Sequence, residues 1–369
     1  MSGKDLHSKP FDEGTITKLE IFENYAKEWI PTFVMSNSVK AIWIFDFFAG
    51  TGYDLNGVAG SPIRILQQIK NQTDNISKQG TKINVCFNEF EKEKYNLLEE
   101  SCKQFLSDNP ELERAGLKVY YRNADFAEIF PKAIKIIQKY PSLVYLDQNG
   151  MKFLSDKYFL ELEKTKTTDF LYFLSSSYFW RFGNEKVFQN NLNIDMDKAK
   201  RNPYKYIHKS ILEQLRDRLP KSTKYSLYPF TIKKETNVYG IIFGASHPRA
   251  VDKFLKTAWK ENNFNGEANF DIDDDMDKKQ LDLFEGKKLT KIENFSCALR
   301  NSILNRTIKT NKDAYTFTLE QGHIDVHASD EVKKMKKEGL ISYSERTPLI
   351  NYDQVIKKKR IIEYKINQP

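Results

Sequence analysis

Cysteine is scarce in this chain. Its 369 residues include three, Cys86, Cys102 and Cys297, widely spaced and with no C-x-x-C pair. An odd, scattered set supports neither a disulfide framework nor a zinc knuckle, and it fits a reducing compartment. Histidine is nearly as rare, at five. His323 and His327 lie four apart, but no Glu stands between them to complete H-E-x-x-H, so they are read as flanking a helix. Asp271, Asp273, Asp275 and Asp277 alternate as in a calcium loop. Met276 and Asp282, however, occupy the positions where that loop needs Gly and Glu. No metal site is expected. No apolar run reaches the ~20 residues that a membrane span requires. The opening Met1-Ser2-Gly3-Lys4-Asp5 is polar and leads into no signal-type stretch. A cytoplasmic protein with no membrane partner is expected. The absence of a G-x-x-x-x-G-K-[ST] loop argues against a P-loop nucleotidase.

What is present is positive charge, at +8 net with a pI near 9.0. That balance points to an anionic partner, with nucleic acid, DNA or RNA, the first candidate. A solvated Lys-rich surface is the ordinary alternative. Hydrophobic residues at 40% and charged residues at 29% suit a chain with a real core and one large or two modest domains.

The apolar pattern predicts a helix over ~15–34, with Leu19, Phe22, Tyr25, Ala26 and Trp29 on one stripe and Pro31 as its stop. Ala41–Phe45 is a continuous apolar run, which suits a strand buried on both faces of a parallel sheet. Strands and helices then alternate. Strands are expected at 83–87, 117–121, 143–146 and 169–174. Helices are expected at ~61–71, opened by Ser61 and Pro62, and at ~91–107, ~124–139 and ~155–164. Such a repeat implies an α/β, doubly wound parallel sheet. Tyr225–Tyr228 and Tyr239–Ala245 follow with no helix between them and read as an antiparallel pair closing a seven-stranded sheet. That is the layout of class I methyltransferases. The expected domains are a Rossmann-like 1–264 with a helical insertion over 181–222, an acidic linker over 265–290, and a winged-helix-like α+β module over 291–369. Within that module, helices are expected at ~292–305 and ~328–338. Between them lie Asp313–Leu319 and a turn at Gln321-Gly322. Strands are expected at 340–344 and 360–366.

Asp46-Phe47-Phe48-Ala49-Gly50-Thr51-Gly52 ends the first strand. Gly50 and Gly52 let the backbone approach a ligand closely. Asp46 at the strand tip suits the charged amino-acid end of S-adenosylmethionine, and Phe48 completes D-x-F-x-G-x-G. A nicotinamide fingerprint needs G-x-G-x-x-G directly after the strand, and Gly57 and Gly60 lie too far on. Glu89 follows the second strand, where a doubly wound sheet presents a carboxylate to a ribose diol; a solvated Glu is the alternative. Phe90 beside it is a candidate for packing on adenine. Asp125 follows the third strand as a partner for the adenine amino group, with Asn123 as the other candidate. A helix N-cap explains Asp125 equally well.

Leu146-Asp147-Gln148-Asn149-Gly150 follows the fourth strand, at the sheet end where open α/β folds bind ligands. Asp147 and Asn149 are the candidates for orienting the methyl acceptor; a turn-capping Asp before Asn-Gly is the alternative. The prolines and closing aromatic of the D/N-P-P-Y/F motif are missing. After the fifth strand, Ser175–Arg181 places aromatics beside Arg181. These suit either stacking on a base or packing the insertion into the core. In the C-terminal module, Lys333, Lys334, Lys336 and Lys337 share one helix. Lys357, Lys358, Lys359 and Arg360 enter the last hairpin. Lys333, Lys337 and Lys358, with Arg181, are the candidates for phosphate contact.

Taken together, these motifs resemble the three-Cys-motif partner proteins. The likeness is carried by Lys18, Tyr25 and Trp29 of the opening helix, Asp46–Gly52, Gly60-Ser61-Pro62, Glu89, and Asp147 to Gly150, over residues ~11–260. It implies a methyltransferase-like fold, S-adenosylmethionine as cofactor, a mobile-element or antiphage-defence setting, and a three-cysteine, radical-SAM-like partner. The family usually reads Asp-Pro-x-Gly at the last motif, where this chain has Gln148 and Asn149. Two functions are therefore expected as alternatives. One is a SAM-dependent methyltransferase acting on nucleic acid or a nucleotide-derived substrate. The other is a non-catalytic binding or scaffold subunit that works with the three-cysteine partner.

Overall fold

A computed structural model describes residues 10–148, 156–176, 180–181, 183–185, 194–276, 278 and 288–367. The chain divides into two compact units, residues 1–247 and 248–369. The division falls ahead of the helix Pro248–Glu261, which sequence reading assigned to the first domain.

The first unit is organised by β1 (Ala41–Asp46), which pairs in parallel with both β2 (Lys82–Asn88) and β4 (Ser142–Leu146). A strand flanked on both sides and covered on both faces must be apolar throughout, as this one is. With β3 (Leu117–Arg122), β5 (Thr168–Ser175), β6 (Ser226–Lys234) and β7 (Asn237–Ala245), the sheet has the order β3-β2-β1-β4-β5-β7-β6. β7 runs antiparallel to both of its neighbours. β6 runs on past the expected Tyr225–Tyr228 to Lys234, with Pro229 inside it. An edge strand accommodates proline, since one row of its N–H groups has no ladder partner.

α1 (Glu13–Val34) covers one face of the sheet. Phe22 stacks on Tyr145 at 4.6 Å, Tyr25 meets Phe243 edge-on, and the Tyr25 hydroxyl donates to Asp169 at 2.7 Å. Each fully buried side chain of this size contributes about 2–3 kcal/mol, which seats α1 firmly. α1 ends at Val34, as the expected bound of ~34 has it, but Pro31 lies inside its last turn and is not its stop. In the last turn a proline removes a single backbone bond, and the Thr32 hydroxyl gives the Glu28 carbonyl a donor at 2.9 Å. Helices α2 (Ser61–Lys70), α3 (Thr73–Gln79), α4 (Lys92–Ser107), α5 (Glu111–Arg114), α6 (Phe126–Ile137) and α7 (Asp156–Glu163) fill the crossovers. α6 buries Phe126, Phe130 and Ile134 in a core shared with Phe47, Val144 and Phe170.

Between β5 and β6 lies the insertion. Its described part holds α8 (Met196–Lys200) and α9 (Ile207–Arg218). Gln214 of α9 clasps both the N–H and the carbonyl of Asp195. His208 donates to or accepts from the Thr231 hydroxyl at 2.6 Å and lies where a Cβ on Gly240 would stand. Gly240 thus lets α9 pack directly against β7.

The second unit holds α10 (Pro248–Glu261), α11 (Lys291–Leu304), α12 (Asn311–Glu320), α13 (Asp325–Lys337) and a small pair, β8 (Ile341–Ser342) with β9 (Lys365–Ile366). Asp313–Leu319 is therefore helical, started by a reciprocal Thr310–Asp313 capping box. The strands expected at 340–344 and 360–366 shorten to two residues each. Of the residues expected to form an acidic linker, 277 and 279–287 lie outside the described residues, and Asn265, Ala268, Ile272 and Asp275 are all at most 1% exposed. The Asp271 carboxylate takes the N–H groups of Asp275 and Met276, and Asp275 takes that of Lys291. The acidic residues thus serve as turn caps, a use that composition alone does not reveal. His323 stacks on Phe295 at 4.1 Å and its Nδ1 lies 3.0 Å from that of His327. No group of three or more metal-ligating side chains occurs among the described residues. Among them, no helix is long and apolar enough to cross a membrane.

Candidate cofactor and acceptor site

The carboxyl ends of β1, β2 and β4 are adjacent because the strands are. Their carboxylates therefore converge. Asp46 is 1% exposed. One of its oxygens accepts from Phe48 N–H at 3.2 Å and the other from the Ser61 hydroxyl at 2.6 Å. Burial pushes its carboxyl up to about 7, against the pull of those two bonds, and the charges of Asp147 and Glu89 push the same way. Asp46 thus shapes the turn from within, binding the loop to the first residue of α2.

Gly50 and Gly52 have φ of 69° and 91°, a region that side chains disfavour. A Cβ on Gly52 would stand 2.7 Å from the Ser101 Cβ of α4. The Gly52 carbonyl takes the Gly60 N–H at 2.8 Å, which closes the loop. Glu89 meets this loop directly: one oxygen accepts from Gly50 N–H at 3.0 Å and the other from Glu91 N–H at 2.9 Å. Burial raises its carboxyl above the ordinary value despite those bonds. Phe90 next to it is 65% exposed, so its ring is open to a ligand. Phe48 is half-buried and packs on Phe126 at 5.4 Å.

Asp125 is the N-cap of α6, accepting from Ala127 N–H at 2.8 Å. Of the two readings open for this residue, the capping one is what its geometry displays. Asn123, the other candidate, donates to the carbonyls of both Glu89 and Phe90 at 2.8 Å and so fixes that turn.

Asp147 forms an ion pair with Lys18 of α1, whose ammonium also lies 4.6 Å over the Phe173 ring. Their side chains are 21% and 10% exposed. Gln148 turns inward, donating to the Tyr172 hydroxyl at 3.2 Å. Asn149 lies outside the described residues.

Sequence reading gave no role to Asn88, which is 1% exposed. Its amide donates to the carbonyls of Phe47 and Ala124 and accepts from Ala124 N–H. One side chain thus joins the ends of β1, β2 and β3. The contact spans three strands, so no local pattern announces it.

The phosphate candidates divide. Arg181 is exposed in the insertion. Lys333, Lys337 and Lys358 are exposed in the second unit, where Lys333 pairs with Asp330. Lys336 is taken up internally, donating to the carbonyls of Tyr343 and Glu345 and lying 3.9 Å over the Tyr343 ring.

No family model matches the sequence, and no curated protein does. Solved structures do. The O-methyltransferase TomG of Streptomyces achromogenes, involved in tomaymycin synthesis and solved with SAM, matches at 9% identity and a TM-score of 0.32. The match covers 63% of this chain and 89% of that one. The methyltransferase domain of bacterial CtHen1 matches at 10% identity and 0.29, covering 61% and 100%. The arsenic(III) S-adenosylmethionine methyltransferase CrArsM of Chlamydomonas reinhardtii matches at 10% and 0.29, covering 60% and 72%. The first unit's sheet, with its strand order and antiparallel β7, has the class I methyltransferase topology. Likenesses this distant carry no argument about chemistry, which rests on the residues themselves.

Proposed function

We propose that this chain is a SAM-dependent methyltransferase acting on nucleic acid or a nucleotide-derived substrate. The observation that carries the reading is the bond from Gly50 N–H to Glu89. It brings the glycine turn of β1 and the acid of β2 to one point, beside the open Phe90 ring.

These residues fit S-adenosylmethionine. Glu89 offers acceptors for a ribose diol, Phe90 a flat apolar face for adenine, and Lys18 a cation for the carboxylate of the amino-acid end. The bound cofactor would supply a methyl group activated by its sulfonium. The protein's part is then orientation. Asp46 and Ser61 hold the turn, Asn88 and Asn123 fix the flanking strand ends, and Asp147 at the tip of β4 accepts a hydrogen bond from the acceptor. Such positioning is the main lever in a displacement needing in-line approach. The net charge of +8 favours an anionic acceptor.

The test is calorimetric titration with SAM and its demethylated product, followed by tritiated methyl transfer to DNA, tRNA and protein. Micromolar binding and label in a nucleic-acid fraction are expected. An absence of heat with both ligands overturns the reading. The Lys18–Asp147 pair favours a second reading, in which the chain is a binding or scaffold subunit serving a three-cysteine, radical-SAM-like partner. A cation that engages the acceptor carboxylate leaves it less available for catalysis. That reading expects SAM binding without label transfer, whether or not the partner is present.

A further inference from the structure

The insertion carries a second surface at the same end of the sheet. Tyr239 pairs with Ser175, the last residue of β5, so the start of β7 lies at the carboxyl end of β5. Tyr204 is tied by a hydrogen bond to the backbone of Val238 there, and it lies near both Tyr239 and Arg181. Trp180 meets the Tyr204 ring edge-on at 5.3 Å and remains 38% exposed. Lys200 of α8 lies 5.5 Å over the Trp180 ring, while Lys205 and Lys209 flank the Tyr206 ring at 5.3 and 5.9 Å. Between residues 198 and 209 the sequence has five cations, at 198, 200, 201, 205 and 209, and no acid. Its α8–α9 part is tied down through the Gln214 clasp on Asp195 and the close packing of His208 on Gly240.

Rings alternating with ammonium groups form the surface that single strands use. Unpaired bases stack on aromatic faces while lysines follow the phosphates, and a duplex keeps its base faces hidden. We propose that this strip seats single-stranded nucleic acid, with bases on Trp180 and Tyr206 and phosphates along Lys200, Lys205 and Lys209. It thereby presents an unpaired base to the acceptor site. The presentation step rests on the methyltransferase reading above; the binding step does not.

The test uses the full chain and labelled oligonucleotides of about 20 nucleotides, single-stranded and duplex, followed by fluorescence anisotropy. Single strands are expected to bind more tightly and to quench tryptophan emission, because Trp180 is the most exposed of the four tryptophans. Trp180→Leu should weaken single-strand binding roughly 5- to 150-fold, the range for one lost base stack, and abolish the quench. Lys205→Gln with Lys209→Gln should lower the slope of log affinity against log salt by about 1.4, at ~0.7 per phosphate contact. Unchanged melting temperatures show that the variants fold.

The proposal is overturned by equal or tighter duplex binding, or by an unaffected Trp180→Leu. It is equally overturned if Lys333→Gln with Lys337→Gln removes all the binding, or if polyglutamate competes as well as an oligonucleotide. Calorimetry with SAM separates the two readings. SAM binding without single-strand binding sinks this proposal alone. Single-strand binding without SAM binding sinks the methyltransferase reading and the presentation step with it, and leaves the binding step standing.

Discussion

Two glycines of the same loop separate backbone strain from steric conflict. Gly57 has φ of 75° and nothing within 4 Å of where a Cβ would stand. Gly57→Ala should therefore cost only the left-handed backbone penalty, about 1–2 kcal/mol. Gly52 has φ of 91°, and its new Cβ would sit 2.7 Å from the Ser101 Cβ. Carbon atoms settle at about 3.5–4.0 Å, so α4 must retreat by roughly 1 Å. Ser101 resists, because its hydroxyl donates to the Thr51 carbonyl at 3.1 Å and lies on a packed helix. Forcing a methyl group into filled space costs about 1–3 kcal/mol. Gly52→Ala should thus be less stable than Gly57→Ala by about 2 kcal/mol, or roughly 4–8 °C in Tm for a unit of this size. Scanning calorimetry of the two variants reads the difference. Equal melting, or a milder Gly52→Ala, would refute the claim that α4 closes over the glycine turn.

Asp169 is buried against Tyr25, and burial pushes its carboxyl up to about 7. The folded state therefore holds a proton that the unfolded chain releases near pH 4. The stability this confers is full below ~4 and is lost as pH rises through ~7. Wild type should lose stability relative to Asp169→Asn across that window, and a flat difference in denaturant midpoints from pH 4 to 8 would contradict it. Lys18→Met leaves Asp147 without its cation beside two other carboxylates. A loss of about 1–3 kcal/mol is expected, below that of a fully buried pair because Asp147 keeps some solvent. Lys18→Met with Asp147→Asn should recover most of it, whereas additive losses in the double-mutant cycle would show that the pair is not coupled. Asp125→Ala should cost about 1 kcal/mol through the lost cap and leave SAM affinity unchanged, so a tenfold affinity loss would assign Asp125 to the ligand instead.

The sheet was legible because five apolar runs alternate with amphipathic helices, and the glycine turn because D-x-F-x-G-x-G stands directly after one of them. Roles at the site were harder to read. Asp46 carries the residue type that suits a ligand's charged end, yet Phe48 N–H of the loop and the Ser61 hydroxyl at the start of α2 take its two oxygens. Asp125 satisfies both a capping pattern and a ligand pattern, and only coordinates display which donor it meets. Lys18 lies 129 residues from Asp147 in sequence, so their pairing depends on how α1 docks across β4. The capping roles of Asp271 and Asp275 before α11 were not legible, because linker and turn-capping aspartates have the same composition.

Asn88 brings a question of chemical ageing. Asparagine deamidates when the following backbone nitrogen attacks the side-chain carbonyl, and conversion to aspartate here would set a carboxylate against the carbonyls of Phe47 and Ala124. The attacking nitrogen would be that of Glu89, but its N–H is held by the Arg122 carbonyl at 3.0 Å in the sheet. The ladder that sets the strand ends thus also withholds the nucleophile. Peptide mapping of long-stored protein should find Asn88 intact while exposed asparagines have turned over.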